Sequence, residues 1–318
     1  MGLATRSLSA YSQASIMPPD SAAPAPPSAP SKGRVFARRL LSTLTLWTFV
    51  VAAIVSGRGT LFFLLLGFLG ITAIYEFSHL DRTLPKPYRR LLLALTIAWF
   101  ATTFTACQLT GLPWSPNIDL AFLALLVLTA FLPSLFAPLA GRATLAAILF
   151  TIAAFLYIPW LSSFMTRVLY LPGRDPDGWL RGLPYLVFLI GVTKFTDCGA
   201  YLLGSAIGKH KMIPHISPAK TWEGMAGALL AALAAGLGIY FAWATKMPLL
   251  TPLSVTLLSL LLGLICVFGD LAESVLKRCL DVKDSGHFLP GIGGSLDLID
   301  SLLFTAPVFY FYLLYASA

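Results

Sequence analysis

The sequence predicts an all-α, polytopic integral membrane protein with about nine transmembrane helices and a cytoplasmic N-terminus. Hydrophobic residues make up 57% of the 318 residues and charged residues only 11%, whereas an ordinary soluble domain carries about 25% charged residues. Apolar blocks of about 20 residues recur along the chain, and each is long enough to cross about 30 Å of hydrocarbon as a helix. Because most lysines and arginines fall between these blocks, membrane topology explains the formal charge of +8 better than nucleic-acid binding does.

The N-terminal segment differs from the rest of the chain in composition. Residues 1–33 are rich in serine, alanine and proline, as in "PPDSAAPAPPSAPSKG", and such a segment cannot bury a core. We therefore expect a disordered cytoplasmic tail. No signal peptide is expected, because the first long apolar run begins after Arg38 and Arg39 and no small-residue cleavage site follows it. The remaining chain divides into an N-terminal group of membrane helices, 34–180, and a C-terminal membrane region, 181–318.

The hydropathy pattern beyond the tail predicts nine membrane spans. Only "SGRG" separates the first span from the second. Pro133, Pro138 and Pro159 are expected to kink or end their helices, because proline lacks a backbone N–H and its ring clashes with the preceding turn. The predicted spans are 40–56, 60–79, 91–109, 119–138, 143–164, 183–206, 224–244, 253–273 and 299–316.

The distribution of cationic residues predicts the orientation of these spans. With the N-terminus in the cytoplasm, sixteen lysines and arginines lie in cytoplasmic segments and five lie on the opposite side. Cytoplasmic loops of membrane proteins carry an excess of Lys and Arg, so this orientation is the favoured one. Nine spans then place the C-terminus outside, and the two loops richest in polar residues, 207–223 and 274–298, face the cytoplasm.

Acidic residues are concentrated in the C-terminal region. Eight of the fourteen lie between Asp197 and Asp300, and several stand within or at the ends of spans, where an unpaired charge is costly. Residues three, four or seven positions apart share one face of a helix. The groups with this spacing are Lys194 with Asp197, Asp270 with Glu273, Ser274 and Lys277, and Asp297 with Asp300.

Two interpretations of these charges are open. They could form buried ion pairs that only hold helices together. However, the carboxylates outnumber the cations beside them, and this excess favours a bound divalent metal. One or two Asp side chains together with substrate phosphates are the usual ligands of Mg²⁺. The four cysteines and four histidines show no metal-ligand spacing.

Two glycine-rich, cationic loops accompany the acidic residues. The first is "GSAIGKHKMIPHISPAKTWEG", 204–224, and the second is "LPGIGGSLD", 289–297. Glycines allow a phosphate to approach the backbone, and lysines add compact positive charges. Each loop alone could be an ordinary connection. Together with an acidic helix face on the same side of the membrane, they indicate a site for a metal-bound polyphosphate.

Thirteen residues between Ser274 and Ser301 resemble the C-terminal signature of a known family of membrane enzymes. The upstream stretch "DCGAYLLGSAIGKHKMIPHISPAKTWEG" and Glu76, in "YEF", also fit the pattern of the phosphatidate cytidylyltransferases (CDP-diacylglycerol synthases). Two positions depart from it: Ile292 stands where a His usually precedes the glycine pair, and Leu298 stands where an Arg usually follows the Asp. The residues that match the family's C-terminal signature are Ser274, Lys277, Arg278, Lys283, Asp284, Gly286, Leu289, Pro290, Gly293, Gly294, Asp297, Asp300 and Ser301.

The resemblance implies a reaction and a set of partners. CTP and phosphatidic acid would give CDP-diacylglycerol and pyrophosphate, in phospholipid biosynthesis at a bacterial inner membrane, with the active site facing the cytoplasm. The implied cofactor is Mg²⁺, and a second cation is left open. The implied partners are CTP, phosphatidic acid and membrane lipid, without nucleic acid, and a homodimer is left open.

The resemblance also implies residue roles within a catalytic region, 181–318. Asp270 and Asp297 are the expected metal ligands, and Asp300, Asp284 and Asp197 are further metal candidates. The expected phosphate-binding residues are Lys220, Arg278, Lys283, Gly293, Gly294 and Ser217, and the expected catalytic residues are Asp270, Asp297, Lys277 and Ser274.

Other functions remain as alternatives at this point. A CTP-dependent lipid kinase of the polyprenol type has a similar membrane plan but would transfer the γ-phosphate. A cytidylyltransferase for a different phospholipid would keep the same chemistry. A transporter also needs charges within the membrane, but its polar residues would mark a path across the midplane, whereas here they gather at one face.

The orientation can be tested with topology reporters. Reporters fused to the N-terminus and inserted in the 207–223 loop should both report a cytoplasmic position, and a reporter at the C-terminus should report the opposite side, because sixteen of the cationic residues then lie inside. A cytoplasmic C-terminus would contradict the nine-span prediction.

Overall fold

The computed structural model describes most of the chain beyond residue 47. The predicted tail, 1–33, lies outside the described residues, as does most of the first predicted span, 40–56, of which residues 48–53 are helical. The described residues are 48–53, 55–56, 59–109, 115–171, 173, 180–282, 286 and 293–317.

Helices long and apolar enough to cross a membrane dominate the described residues, and the chain is an all-α polytopic membrane protein. Eight such segments are present in the described part, and they correspond one to one with the predicted spans after the first. Several extend beyond the predicted bounds. The segments are Gly59–Leu80, Lys86–Cys107, Pro116–Leu135, Arg142–Tyr170, Leu183–Ile207, Trp222–Lys246, Pro252–Cys279 and Ser295–Ser317.

Two crossings are interrupted near a proline that the sequence predicts to kink or end its helix. Pro133 lies in a short helix that follows a break at Phe131. Pro159 lies in a π-helical turn, Leu156–Trp160, where the wider turn accommodates the missing backbone N–H. In chain order the helices are α1 Gly59–Leu80, α2 Lys86–Phe104, α3 Pro116–Ala130, α4 Leu132–Leu135, α5 Arg142–Phe155, α6 Leu161–Tyr170, α7 Leu183–Ile207, α8 Trp222–Trp243, α9 Pro252–Cys279 and α10 Ser295–Ser317.

The loop predicted between α7 and α8 folds as a β-hairpin. Strand β1, Lys211–Ile213, pairs antiparallel with strand β2, Ser217–Thr221. Thr221 ends the hairpin and caps α8, since its hydroxyl oxygen accepts the backbone N–H of Gly224 at 3.1 Å. The hairpin therefore passes directly into α8 and fixes the position of Lys220, the residue before the cap.

Helices α7 and α8 touch through their backbones. A Cβ atom added to Gly199 would overlap the carbonyl of Gly227, and a Cβ added to Gly227 would come 2.5 Å from the carbonyl oxygen of Gly199. Small residues allow this approach in membranes, where association depends on close packing rather than on exclusion of water. The glycines thus join α7, the hairpin and α8 into one unit.

Helix α10 packs between two apolar clusters. One of its faces, with Leu302 and Phe309, packs against α6, α7, α8 and α9. Another face, with Leu296, Ile299 and Leu303, packs against α1, α2 and α5. Because the acidic residues near its start lie among these positions, the placement of α10 determines where they stand.

One ion pair inside the membrane segments lies apart from the acidic region. Arg167 at the end of α6 contacts Asp119 at the start of α3 at 3.0 Å, and both side chains are at least nine-tenths buried. The Arg167 guanidinium also lies 4.1 Å from the centre of the Phe164 ring, a favourable cation–π arrangement. The structural interpretation of buried charges, as pairs that hold helices together, therefore fits this pair.

Candidate active site

A polar cleft of about 590 Å³ lies among α7, the hairpin, α8, α9 and α10. Three segments singled out in the sequence meet there: the stretch that begins at Asp197, the end of α9 and the start of α10. The ionisable residues that line the cleft are Asp197, Lys220, Asp270, Glu273, Lys277, Asp297 and Asp300.

Helix α9 brings its predicted polar face into this cleft. The helix runs for 28 residues and begins with a capping box formed by Thr251 and Ser254. Asp270, Glu273 and Lys277 all line the cleft, as their i, i+3, i+7 spacing predicts. Ser274, by contrast, does not line it, and its catalytic role stays a prediction.

Three carboxylates form a compact group on one side of the cleft. Asp270, Glu273 and Asp300 each offer an oxygen, and the three oxygens lie within 4.8 Å of one another. Glu273 is only 2% exposed, and its Oε1 atom has no hydrogen-bond partner among the described residues. The other carboxylates near it repel its charge, and a buried carboxylate without a compensating partner is costly.

Lys277 separates Asp297 from that group of three. Its Nζ atom donates to Glu273 Oε2 at 2.9 Å and to Asp297 Oδ1 at 3.0 Å. The second oxygen of Asp297, Oδ2, accepts the backbone N–H of Gly294 at 2.9 Å. Of the predicted metal ligands, the structure therefore places Asp270 and Asp300 in the compact group and Asp297 beside it. Glu273 joins the group although sequence reasoning did not select it as a ligand.

The remaining lysines of the site are paired as well. Lys220 contacts Asp270 at 2.8 Å and donates to the carbonyl oxygen of Val267 at 3.2 Å. Lys194 contacts Asp197 at 3.5 Å. Among the described residues the site then holds five carboxylates, Asp197, Asp270, Glu273, Asp297 and Asp300, against the three lysines Lys194, Lys220 and Lys277. The formal excess of two negative charges equals the charge of one divalent cation.

The glycine pair shapes the start of α10. Gly293 has a φ of +130°, a value at which a residue with a side chain is strained. A Cβ atom there would also lie 2.9 Å from Asp297 Oδ2. The pair thus allows the chain to turn closely around Asp297, and phosphate binding by Gly293 and Gly294 stays a prediction.

Glu76 reaches the site region from α1. Its Oε2 atom accepts the backbone N–H of Ser295 at 2.6 Å, at the first residue of α10. A side chain at Gly286 would overlap the same carboxylate. A negative charge at the N-terminus of a helix is favourable, because the first N–H groups are unpaired within the helix and the helix dipole is positive there. Glu76 therefore anchors α10, and with it Asp297 and Asp300, to α1.

The other predicted site residues lie outside the cleft or outside the described residues. Arg278 donates from Nε to the carbonyl oxygen of Ile216 at 3.4 Å and so connects α9 with the hairpin. Ser217 is paired with Ile213 in the hairpin. Lys283, Asp284 and Ile292 fall outside the described residues, and their roles stay predictions.

The fold and the cleft define a polytopic membrane protein with carboxylates and lysines gathered at one end of its helices. The family model described as the cytidylyltransferase family matches residues 37–316. The chain belongs to the cytidylyltransferase family.

Three relatives show the extent of the similarity. The chain is 38% identical over 199 residues to the uncharacterized protein YnbB of Escherichia coli (strain K12), across 57% of this chain and 63% of that protein. It is 46% identical over 132 residues to the phosphatidate cytidylyltransferase of Bacillus subtilis (strain 168), across 42% and 48%. It is 33% identical over 280 residues to that of Brucella suis biovar 1 (strain 1330), across 88% and 92%. The first two matches thus span less than two thirds of those relatives, and the third spans nearly all of its relative.

The anchoring role of Glu76 can be tested by two substitutions. Glu76→Ala should lower nucleotidyl transfer at least tenfold, because it leaves the Ser295 N–H without its acceptor at the start of α10, a loss of about 1–3 kcal/mol. Glu76→Gln retains an acceptor oxygen and should lose clearly less. Transfer from labelled CTP and the thermal midpoint of the purified protein measure both effects. An alanine variant with normal rate and stability would contradict the anchoring role.

Proposed function

We propose that this protein is a phosphatidate cytidylyltransferase, which converts CTP and phosphatidic acid into CDP-diacylglycerol and pyrophosphate. The observation that carries the proposal is the cleft in which five carboxylates and two lysines meet at one end of the membrane helices, with Lys194 paired to Asp197 beside them. The similarity to relatives named phosphatidate cytidylyltransferase, one of them over 92% of its length, supports the choice of substrate. We place the enzyme in a bacterial inner membrane with the cleft facing the cytoplasm, as the distribution of cationic residues indicates.

The chemistry explains why this site requires charge rather than a catalytic base. The phosphate of phosphatidic acid attacks the α-phosphorus of CTP, a new P–O bond forms, and the bond to the bridging oxygen breaks as pyrophosphate leaves. A phosphate monoester has a second pKa of about 6, so the attacking group is already ionised at neutral pH. The protein must hold two anions together and stabilise the charge that develops on the leaving group. A histidine in place of Ile292 would accordingly add little to the rate.

A divalent metal, Mg²⁺ by its preference for carboxylate and phosphate oxygens, fits the residues present. Asp270, Glu273 and Asp300 would hold it, since their oxygens already lie within 4.8 Å of one another and Glu273 Oε1 has no hydrogen-bond partner among the described residues. When bound, the metal would supply positive charge that offsets the negative charge of the phosphates. Asp297 stays a predicted ligand, and its contact with Lys277 gives it a further role, that of orienting the ammonium group.

The lysines of the cleft have a second role in this proposal. Lys220 and Lys277 each contact a carboxylate of the site and face the cleft, where a phosphate oxygen could share their protons. Their ion pairs hold the ammonium groups in position before the substrate arrives, which lowers the cost of reorganisation during the reaction. The second cation and the homodimer considered above stay predictions.

One assay separates the proposed reaction from its alternative. The purified protein is incubated with CTP labelled in the cytosine ring, phosphatidic acid, a polyprenol and Mg²⁺ in detergent. Release of pyrophosphate with the label in the lipid fraction is the expected result. Release of CDP with a phosphorylated lipid alcohol would instead identify a lipid kinase, and the absence of any lipid product would overturn both assignments.

The role of the carboxylates can be tested by neutral, isosteric substitutions. Asp270→Asn, Glu273→Gln and Asp297→Asn should each lower the rate of the same assay by about two orders of magnitude, a loss typical of removing one electrostatic stabiliser. Asp281→Asn serves as the control, because Asp281 is exposed, does not line the cleft, and has a φ of 53° that asparagine also adopts. Near-normal rates in the three cleft variants would contradict the proposed site.

A further inference from the structure

Tyr157 lies in the π-helical turn that joins α5 to α6, near the middle of the crossing Arg142–Tyr170. A π-turn inserts one residue into the helix and redirects the side chains beside it, and such turns occur frequently at functional sites. In the sequence, Tyr157 stands in an apolar span among aromatic residues, and nothing there distinguishes it from a residue that only packs. Its surroundings in the structure do distinguish it.

The ring of Tyr157 is held from two sides. Its centre lies 6.0 Å from that of Phe77 on α1 and 6.1 Å from that of Phe304 on α10, the latter in an edge-on arrangement. These distances are typical of favourable aromatic pairs. The ring is therefore fixed between α1 and α10, and the position of its hydroxyl is fixed with it.

The hydroxyl of Tyr157 has no hydrogen bond within the described chain, and the Tyr157 ring contacts a residue that lies beside the compact group. That residue is Phe304, which follows Asp300 by one turn of α10 and packs against Gly269, the residue before Asp270. The oxygen is buried, and it has no hydrogen-bond partner among the described residues. A buried hydroxyl is costly without a partner, and native proteins rarely leave one unpaired.

Glu273 Oε1 is the complementary unpaired atom. It is buried and, within the part of the chain that the structure describes, accepts no hydrogen bond, while Oε2 is bound to Lys277. One side of the compact group thus contains a donor without an acceptor and an acceptor without a donor. Carboxylates that bind metals are themselves usually hydrogen-bonded by a neighbouring group, which fixes their orientation.

We propose that Tyr157 is a positioning residue for Glu273: its O–H donates to one buried water that in turn donates to Glu273 Oε1, and this bridge orients the carboxylate toward the divalent cation. The inference rests on the metal site of the proposed function. It adds a residue from α5–α6, the N-terminal half of the chain, to a site whose other members come from α7 to α10. A buried water with two such polar partners is a common element of protein interiors.

The test uses the full-length protein and measures metal binding without substrates. Tyr157→Phe keeps the ring and removes only the hydroxyl. Binding of Mn²⁺, followed by the loss of the free-ion signal in electron paramagnetic resonance, should weaken about 10- to 100-fold, the range typical of losing a group that orients a metal ligand. The Mg²⁺ concentration that half-saturates the reaction should rise by a similar factor, and saturating Mg²⁺ should restore most of the rate.

Tyr88→Phe is the matched control. The Tyr88 hydroxyl is also buried and also without a hydrogen-bond partner among the described residues, but Tyr88 lies on α2 in a separate apolar cluster. Both variants should keep the thermal midpoint of the unaltered protein, and only Tyr157→Phe should change Mn²⁺ affinity. In a Glu273→Gln background, Tyr157→Phe should add less than about a twofold effect, because the two residues act as one unit.

The outcomes separate this inference from the proposed function. Equal Mn²⁺ affinity in Tyr157→Phe and Tyr88→Phe would overturn the role of Tyr157 while leaving the reaction intact. A protein that binds no Mn²⁺ at all would overturn both the metal site and this inference. Weakened Mn²⁺ binding in Tyr157→Phe would support the inference even if the unaltered protein produced no CDP-diacylglycerol, in which case the proposed function alone would fail.

Discussion

Lys277 contacts Glu273 on its own helix and Asp297 on the next one, and these two contacts set the arrangement of the site. Carboxylates placed this close in a membrane segment repel each other strongly, since little water is present to screen them. One ammonium group between α9 and α10 offsets part of that repulsion and fixes the separation of the two helices. The formal charge that remains on the site is negative, because five carboxylates face three lysines.

The helices could be predicted well from the sequence, because a membrane helix is recognised by its apolar composition alone. Each apolar block of about 20 residues has one stable solution in hydrocarbon, a helix with its backbone paired internally. The hairpin between α7 and α8 was not predicted, because its strands are short and Pro214 and the flanking glycines are equally typical of an irregular loop. The i, i+3, i+7 spacing placed Asp270, Glu273 and Lys277 on one face, and this prediction is confirmed.

The composition of the carboxylate group could be predicted only in part. Helical spacing identifies which residues share a face, but it does not show which oxygen meets a lysine from another helix. Asp297 faces Lys277, and Glu273 turns one oxygen to a buried position without a donor among the described residues. Glu76 could be noted only by resemblance, since its contact with Ser295 joins residues 219 positions apart. The sequence did not single out Tyr157, because the π-turn and the rings of Phe77 and Phe304 that surround it are brought together only by the fold.

The contact between Gly199 and Gly227 has a consequence for the accuracy of the site. Asp197 lies two residues before Gly199. Lys220 lies seven residues before Gly227, the residue that Gly199 touches. Their separation is therefore determined by main-chain atoms in direct contact and not by side chains that exchange rotamers. A spacing defined in this way responds little to thermal motion of side chains or to the lipids that surround the helices. The two sides of the cleft therefore form one rigid unit, and the charges that they carry keep a fixed separation.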